Sequence, residues 1–309
     1  MSNPFNNRVF GCVIVKSLNS NYNADFTHQP RTLPDGTVYA TDKALKYSVR
    51  NFFKQVYTTD KVFYFKSLSE EMQPRTLDET YEKNFEKFPT GKEAEIRKTV
   101  GKNLLSCLDV RLFGGTYAGK TNLSIHGTTQ ITHGINRFPE NTIYSEQIMS
   151  PFKNSNEKST DSTMTTLGTQ SKLKEGHYVH HFSVNPQNIS DLVSLCSGTP
   201  LSIDDITKLK SGLTRGATLY DSSAKSGTEN ELMLWVQLKT GSMLVLPSFV
   251  TLIEVTDDDK RSIDLSKVSE ILKQPHVKDV IEKIELYYDK SITTVVGAPE
   301  NATIHPINA

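Results

Sequence analysis

Residues 109–138 read DVRLFGGTYAGKTNLSIHGTTQITHGINRF. Gly114, Gly119, Lys120 and Thr121 stand at the spacing of a phosphate-binding loop. A lysine in such a loop works because a helix begins there and its free N–H groups hold the phosphates. Here Lys120-Thr121 runs into NLSIHGTTQITHGI, rich in β-branched residues, interrupted by Gly127 and Gly134, with no apolar spacing of three or four. That is a strand pattern. The chain is therefore not expected to build a nucleotide-binding α/β fold. Its glycines mark places where backbone turns sharply or approaches a ligand closely.

The rest of the chain gives an order of elements. Residues 8–18, RVFGCVIVKSL, form a strand, and 19–40 a polar, turn-rich insertion with Pro30, Pro34 and Asp35-Gly36. A helix runs from Thr41 or Asp42 to Gln55. Leu45, Val49, Phe52 and Val56 lie on one stripe; Lys43, Tyr47, Arg50 and Lys54 lie on another. Strands are expected at 61–68 and 105–113. Between them lies a helical stretch, 74–106, broken at Pro89-Thr90-Gly91. Another strand is expected at 123–137. Residues 139–176 are poor in apolar side chains and read as a long excursion that cannot build a core. The chain returns as a strand at 177–185, passes a helical region at 187–220, and adds strands at 230–239 and 243–254. A turn at 257–260, a helix at 264–273 and a strand near 280–288 come last. This order is α+β with antiparallel pairing, and its first elements fit a ferredoxin-like unit, the scaffold of RNA-recognition modules.

Composition narrows the chemistry. The chain has 309 residues, 35 basic and 35 acidic, so its charge balances. Bulk charge does not drive it onto nucleic acid, although a local basic groove still can. Cys12, Cys107 and Cys196 are scattered, make no C-x-x-C pair, and read as thiols of a cytoplasmic protein without zinc or a redox dithiol. The apolar run near the start is too short to span a bilayer, so no membrane contact is expected. His126 and His133 stand seven apart, on opposite faces of a strand. Of His177, His180 and His181, only the first and last share a face. No metal and no other cofactor is expected. No carboxylate pair, serine elbow or activated cysteine suggests catalysis.

Asp109 and Arg111, two apart on an expected strand, leave on the same face. The arginine then pairs with the aspartate, reaches a phosphate, or does both. The basic helix face lies beside Asn19, Asn21 and Asn23 and is either solvated or part of a ligand site. The excursion carries Met149, Met164 and Leu167, together with Gln170, Lys153, Lys158, Lys172 and Lys174, among Ser, Thr and Asn. It reads either as a surface loop or as an arm whose apolar tips wedge between bases.

Five stretches resemble the Cas7 family, in particular the type I-B (Csh2-like) backbone subunit of CRISPR Cascade effector complexes. They are NRVFGCVIVKSLNSNYNAD at 7–25, YATDKALKYSVRNFF at 39–53, DVRLFGGTYA at 109–118, HGTTQITHGINRF followed by ENTIYSEQIMSPF at 126–152, and TLGTQSKLKEGHYVHHFSVNP at 166–186. The resemblance implies an RRM-like palm from 1–138 and 177–309, with web or finger insertions near 19–40 and 69–104. It implies a thumb at 139–176 and a flanking helical region at 187–220. Palm strands would be 8–18, 61–68, 105–113 and 178–185. Copies of the chain would stack along a guide RNA (crRNA) and present its bases to target DNA, without catalysis. Partners would be a Cas5-like cap, a Cas8b-like large subunit and a Cas6-like endonuclease. RNA contacts would come from Asn19, Asn21, Lys43, Lys46, Arg50, Arg111, Gly114, Gly115, Lys120, His126, Thr128, Gln130, Thr132 and Arg137. Thumb contacts would come from Met149, Met164, Leu167, Gln170, Lys172 and Lys174. The alternatives are a P-loop hydrolase, a metal-dependent ribonuclease using Asp109, or a scaffold that binds only protein.

Overall fold

The computed structural model describes residues 3–149 and 167–308. β1 (Val9–Ser20) opens the chain. Two small loops closed by Ala24–Pro30 and Thr32–Val38 bridges lead to β2 (Tyr39–Ala40). α1 (Asp42–Val56) buries Leu45, Val49, Phe52 and Phe53, as its period requires, and leaves Val56 exposed. α2 (Leu77–Phe85) starts on a reciprocal cap between Thr76 and Glu79. α3 (Glu93–Leu105) follows the Pro-Thr-Gly break and α4 (Leu108–Phe113) follows α3. Next come β3 (Gly114–Ala118), β4 (Asn122–His126), β5 (Thr129–Ile131), β6 (Gly134–Asn136), β7 (Ile143–Met149) and the long β8 (Leu167–Val184). α5 (Ser190–Cys196), α6 (Ile203–Leu219) and β9 (Thr228–Leu238) complete the core. The C-terminal part holds β10 (Glu254–Val255), β11 (Ile263–Asp264), α7 (Ser266–Lys273), α8 (Pro275–Lys278), β12 (Ile281–Tyr288), β13 (Val295–Val296) and β14 (Ala302–His305).

The main sheet runs β14-β12-β9-β1-β8-β6-β2, with β5 and β7 also on β8. Its centre, β9-β1-β8-β6, is antiparallel throughout. α1 joins β1 to β5 and β6; α6 joins β8 to β9. That is the strand-helix-strand-strand-helix-strand unit of a ferredoxin-like, RRM-like fold, so the α+β expectation holds. The two helices lie side by side, with Gly212 and Gly216 of α6 against Val49, Phe53 and the Ser48 backbone of α1.

Three expected strands are not strands. At 61–68 the Phe63 and Tyr64 N–H groups donate to the Asp109 carboxylate at 2.7 and 2.9 Å instead of to a ladder. Val62 and Phe63 are both buried, which a strand one side of which meets solvent does not allow. Residues 108–113 are a helix with all six side chains buried, so no period of 3.6 shows in the sequence. The 243–254 segment is irregular apart from its last residue: Pro247 lacks a ladder donor, and Leu246, Phe249, Val250 and Ile253 pack down onto the sheet. The palm's second strand is thus split between β5 and β6, and the expected 123–137 strand is three short ones.

Both faces of the palm are covered. Val13, Val15, Phe182, Met233 and Trp235 face α1, α6 and the 57–126 region. Phe10, Ile14, Val179, Leu234 and Val236 face Leu246, Phe249, Ile253 and Val268. The sheet face that an isolated RNA-recognition module leaves open is therefore occupied by this chain itself.

The excursion begins as ordered ribbon. β7 pairs with the first part of β8 from Ile143–Leu173 to Met149–Leu167. One strand is thus both an arm of the ribbon and, from Leu173 onward, a partner of β1 at the sheet centre. The excursion, read as either surface loop or arm, has paired strand at its described ends. Among the described residues no helix is long and apolar enough to cross a membrane.

Candidate nucleic-acid interface

On α4 the side chains of Asp109 and Arg111 diverge. Asp109 is fully buried and accepts from Arg50 Nε at 2.9 Å as well as from the two N–H groups of the 61–68 segment. Arg111 forks onto Asp205 of α6 at 2.7 and 2.9 Å and donates its third bond to the Leu105 carbonyl. Neither pairing with each other nor an open phosphate site survives. The shared-face expectation fails because the segment is helical. Asp109 has no room to act as a nuclease carboxylate, and Arg111 is held inside the protein.

The phosphate-loop spacing lies on a hairpin. β3 and β4 pair from Gly114–His126 to Ala118–Asn122, and Lys120 sits in the connecting turn. No helix succeeds it. Lys120 pairs with Glu82 at 2.7 Å, and its N–H donates to Asp78. Burial would raise the Asp78 carboxyl, but the Tyr117 hydroxyl and Lys120 outweigh it and hold it below its usual range. The glycines serve internal packing. A Cβ on Gly114, whose φ is +66°, would meet the Ile125 carbonyl oxygen at 2.1 Å, and one on Gly115 would meet the Tyr64 ring at 2.2 Å. Close approach is real here, but the approaching partner is the chain itself.

The basic face of α1 separates into three kinds of residue. Arg50 is bound to Asp109 and lies against the Phe113 ring. Lys46 pairs with Asp42 at 2.9 Å. Lys43 is 86% exposed, with its ammonium 4.0 Å from Asp42, and Lys54 is exposed at the far end of the same face, near the Phe65 ring. Asn21 is buried and donates to the His28 and Ser171 carbonyls, tying the first loop to the ribbon. Asn23 accepts from both the Thr41 N–H and its hydroxyl, tying that loop to the start of α1. Asn19 is exposed and accepts from Tyr144 of the ribbon.

Along β4–β6, His126, Gln130 and Thr132 are exposed, whereas Thr128 is buried and bonds the Arg111 carbonyl. His133, weighed in the sequence only as a metal ligand, lies tilted against Tyr39 with ring centroids 5.6 Å apart, beside the α1 start. Arg137 donates to the Ile253 carbonyl, fixing the C-terminal layer. On the ribbon, Met149 and Ile148 are exposed. Lys172 pairs with Glu146 and Lys174 with Glu140, and Gln170 stands opposite Glu146 in the register. Met164, Lys153 and Lys158 lie outside the described residues, as does the side chain of Leu167. Among the described residues no three His, Cys, Asp or Glu side chains gather to hold a metal.

Comparison with known proteins decides the family. Residues 7–271 match the family CRISPR-associated protein Cas7. This chain belongs to the Cas7 family. Cas7 proteins are structural, RNA-binding subunits without catalysis of their own, which agrees with a buried Asp109 and a Lys120 held in a hairpin turn. Two solved structures share the fold. One, "CRISPR RNA-guided surveillance complex, pre-nicking", is 13% identical, with a TM-score of 0.58 over 97% of this chain and 96% of that one. The other, "CRISPR RNA-guided surveillance complex", is 14% identical, with a TM-score of 0.51 over 94% and 95%. A search of curated proteins finds no match. In this Cas7 chain the RRM-like unit is β9-β1-β8-β6 with α1 and α6, and the β7–β8 ribbon extends from it.

Proposed function

We propose that the chain is the crRNA-binding backbone subunit of a type I-B surveillance complex. Copies stack along one guide RNA and leave its bases free to pair with target DNA. A Cas5-like cap, a Cas8b-like large subunit and a Cas6-like endonuclease complete the assembly. The observation that carries this reading is the family match, continuous from residue 7 to residue 271 across palm and ribbon. Because both sheet faces are covered, RNA runs over the rim: the first turn of α1 with Lys43, the exposed His126, Gln130 and Thr132, and Asn19 at the ribbon base. These groups suit phosphate and sugar oxygens, which position a strand without reading its sequence. Specificity then resides in the guide. Lys46 adds a paired charge to this rim, while Arg50, Arg111, Gly114, Gly115 and Thr128 support it from inside.

The test is co-expression of the chain with its neighbouring genes and a repeat array, followed by sequencing of the bound RNA and mass measurement of the particle. Discrete guide-length RNA carrying several copies of the chain is expected. Particles that survive nuclease unchanged and hold no RNA would replace this reading with a protein-only scaffold.

A further inference from the structure

Phe26 is 96% exposed. It is not on a floppy end. Residues 25–29 form a closed tip: the Asp25 N–H donates to the Gln29 carbonyl, and the Asp25 carboxylate accepts from the Thr27 N–H, the Thr27 hydroxyl and the Gln29 N–H. The Ala24–Pro30 bridge closes the stem. A large aromatic ring held in water by a built loop has no folding rationale, since exposing apolar area forgoes the stabilisation that burial gives. The Arg31 guanidinium sits 6.0 Å from that ring. Its Nε is buried without a hydrogen-bond partner among the described residues, and the nearby Asp25 carboxylate is already engaged by Thr27 and Gln29. The stem is fixed to the RNA rim proposed above, because Asn23 holds Thr41 at the start of α1, two residues before Lys43.

We propose that Phe26 and Arg31 form a stacking site for one unpaired base of a single-stranded RNA, with the ring under the base and the guanidinium beside the neighbouring phosphate. Aromatic faces flanked by cations hold single strands without sequence preference, because every base offers a π-face. A peptide partner is the weaker fit, since an arginine without a carboxylate partner suits a phosphate. The inference rests on the RNA-binding reading and deepens it.

The probe is a purine-rich RNA oligonucleotide carrying 2-aminopurine, titrated onto the purified full chain. Wild type should quench the fluorophore. Phe26→Ala should lose the quench and bind about tenfold more weakly, as removal of one stacking platform does. Phe26→Trp should keep both, and Arg31→Gln should lower the salt slope by about one. Circular dichroism should be unchanged in all three, because neither side chain is part of the core. Wild-type quench and affinity in Phe26→Ala would overturn the inference while leaving RNA binding intact. So would a loss confined to self-association without RNA, which would place a neighbouring copy on the ring. If even the wild type bound no RNA and none co-purified with it, the functional reading itself would fall, and this site with it.

Discussion

Arg111 reaches Asp205, 94 positions later, through two parallel bonds that tie α4 to α6. Asp205 also completes the α6 cap, accepting from the Ser202 N–H while its own N–H donates to the Ser202 hydroxyl. A motif that looks like a ligand arginine in sequence is thus a buried cross-brace of the palm.

Breaking that brace from one side should be costly. Arg111→Met leaves Asp205 buried and unpaired, and should lower stability by about 3–5 kcal/mol. Adding Asp205→Leu removes the orphaned charge and should restore most of the loss, less about 1 kcal/mol for the missing cap. Urea midpoints of the three variants check this. Equal stability of the single and double variants would show that the pair is not coupled.

Lys43 and Arg50 share a helix face but should behave oppositely. Lys43→Ala should leave stability unchanged and lower the salt slope of RNA binding by about one, the loss of one ion contact. Arg50→Ala should leave the slope unchanged and destabilise the fold, because it strips the charge partner from buried Asp109. Filter binding across a salt series, paired with denaturation, separates the two. A reduced slope in Arg50→Ala would show that this side chain leaves Asp109 to meet RNA.

The buried histidines give stability a pH dependence of two signs. Burial disfavours charge on His177, but its bonds to Glu231 at 2.6 Å and Glu175 at 3.3 Å outweigh burial and raise its pKa above the ordinary value. Its contribution is complete below about pH 6.5 and is lost as pH rises through the raised pKa. His180 and His181 are pushed down to about 4, chiefly by burial, so they lose stability as pH falls from about 6.5 toward 4. His177→Gln should therefore cost most in mild acid and progressively less above neutrality. A cost that stays flat from about pH 5.5 to 9 would remove the charged His177 from this account.

The register of the ribbon defines a clean deletion of the proposed thumb's tip. Met149 and Leu167 are paired, so residues 150–166 can be replaced by Asn-Gly, which closes a two-residue hairpin. A larger cut into 167–171 would also remove the buried Ser171, whose carbonyl accepts from Asn21. The short deletion should keep the wild-type circular dichroism and Tm but fail to stack regularly on RNA. Electron microscopy of RNA-bound material reads the result. Regular filaments would remove the arm's role in stacking.

The α+β class, β1, α1, the split helix pair α2 and α3, the return strand and the helical region that holds α5 and α6 were all legible in the sequence, because each carries a local signal: a β-branched run, a spacing of three and four, or a breaker. That no helix follows Lys120 was also legible, since the residues after it are β-branched, but the pairing of Gly114–Ala118 with Asn122–His126 was not. Tertiary structure decided the rest. α4 is buried on all sides and shows no period. The 61–68 segment gives its N–H groups to Asp109, a side chain 46 positions from Phe63 that no local window contains. Which cations are neutralised was partly hidden: the Asp42–Lys46 pair is a local spacing of four on α1, but only the fold brings Asp109 to Arg50 and Asp205 to Arg111. Sequence sets local propensity and periodicity, whereas partners distant along the chain determine where buried charge is neutralised and which face remains for a ligand.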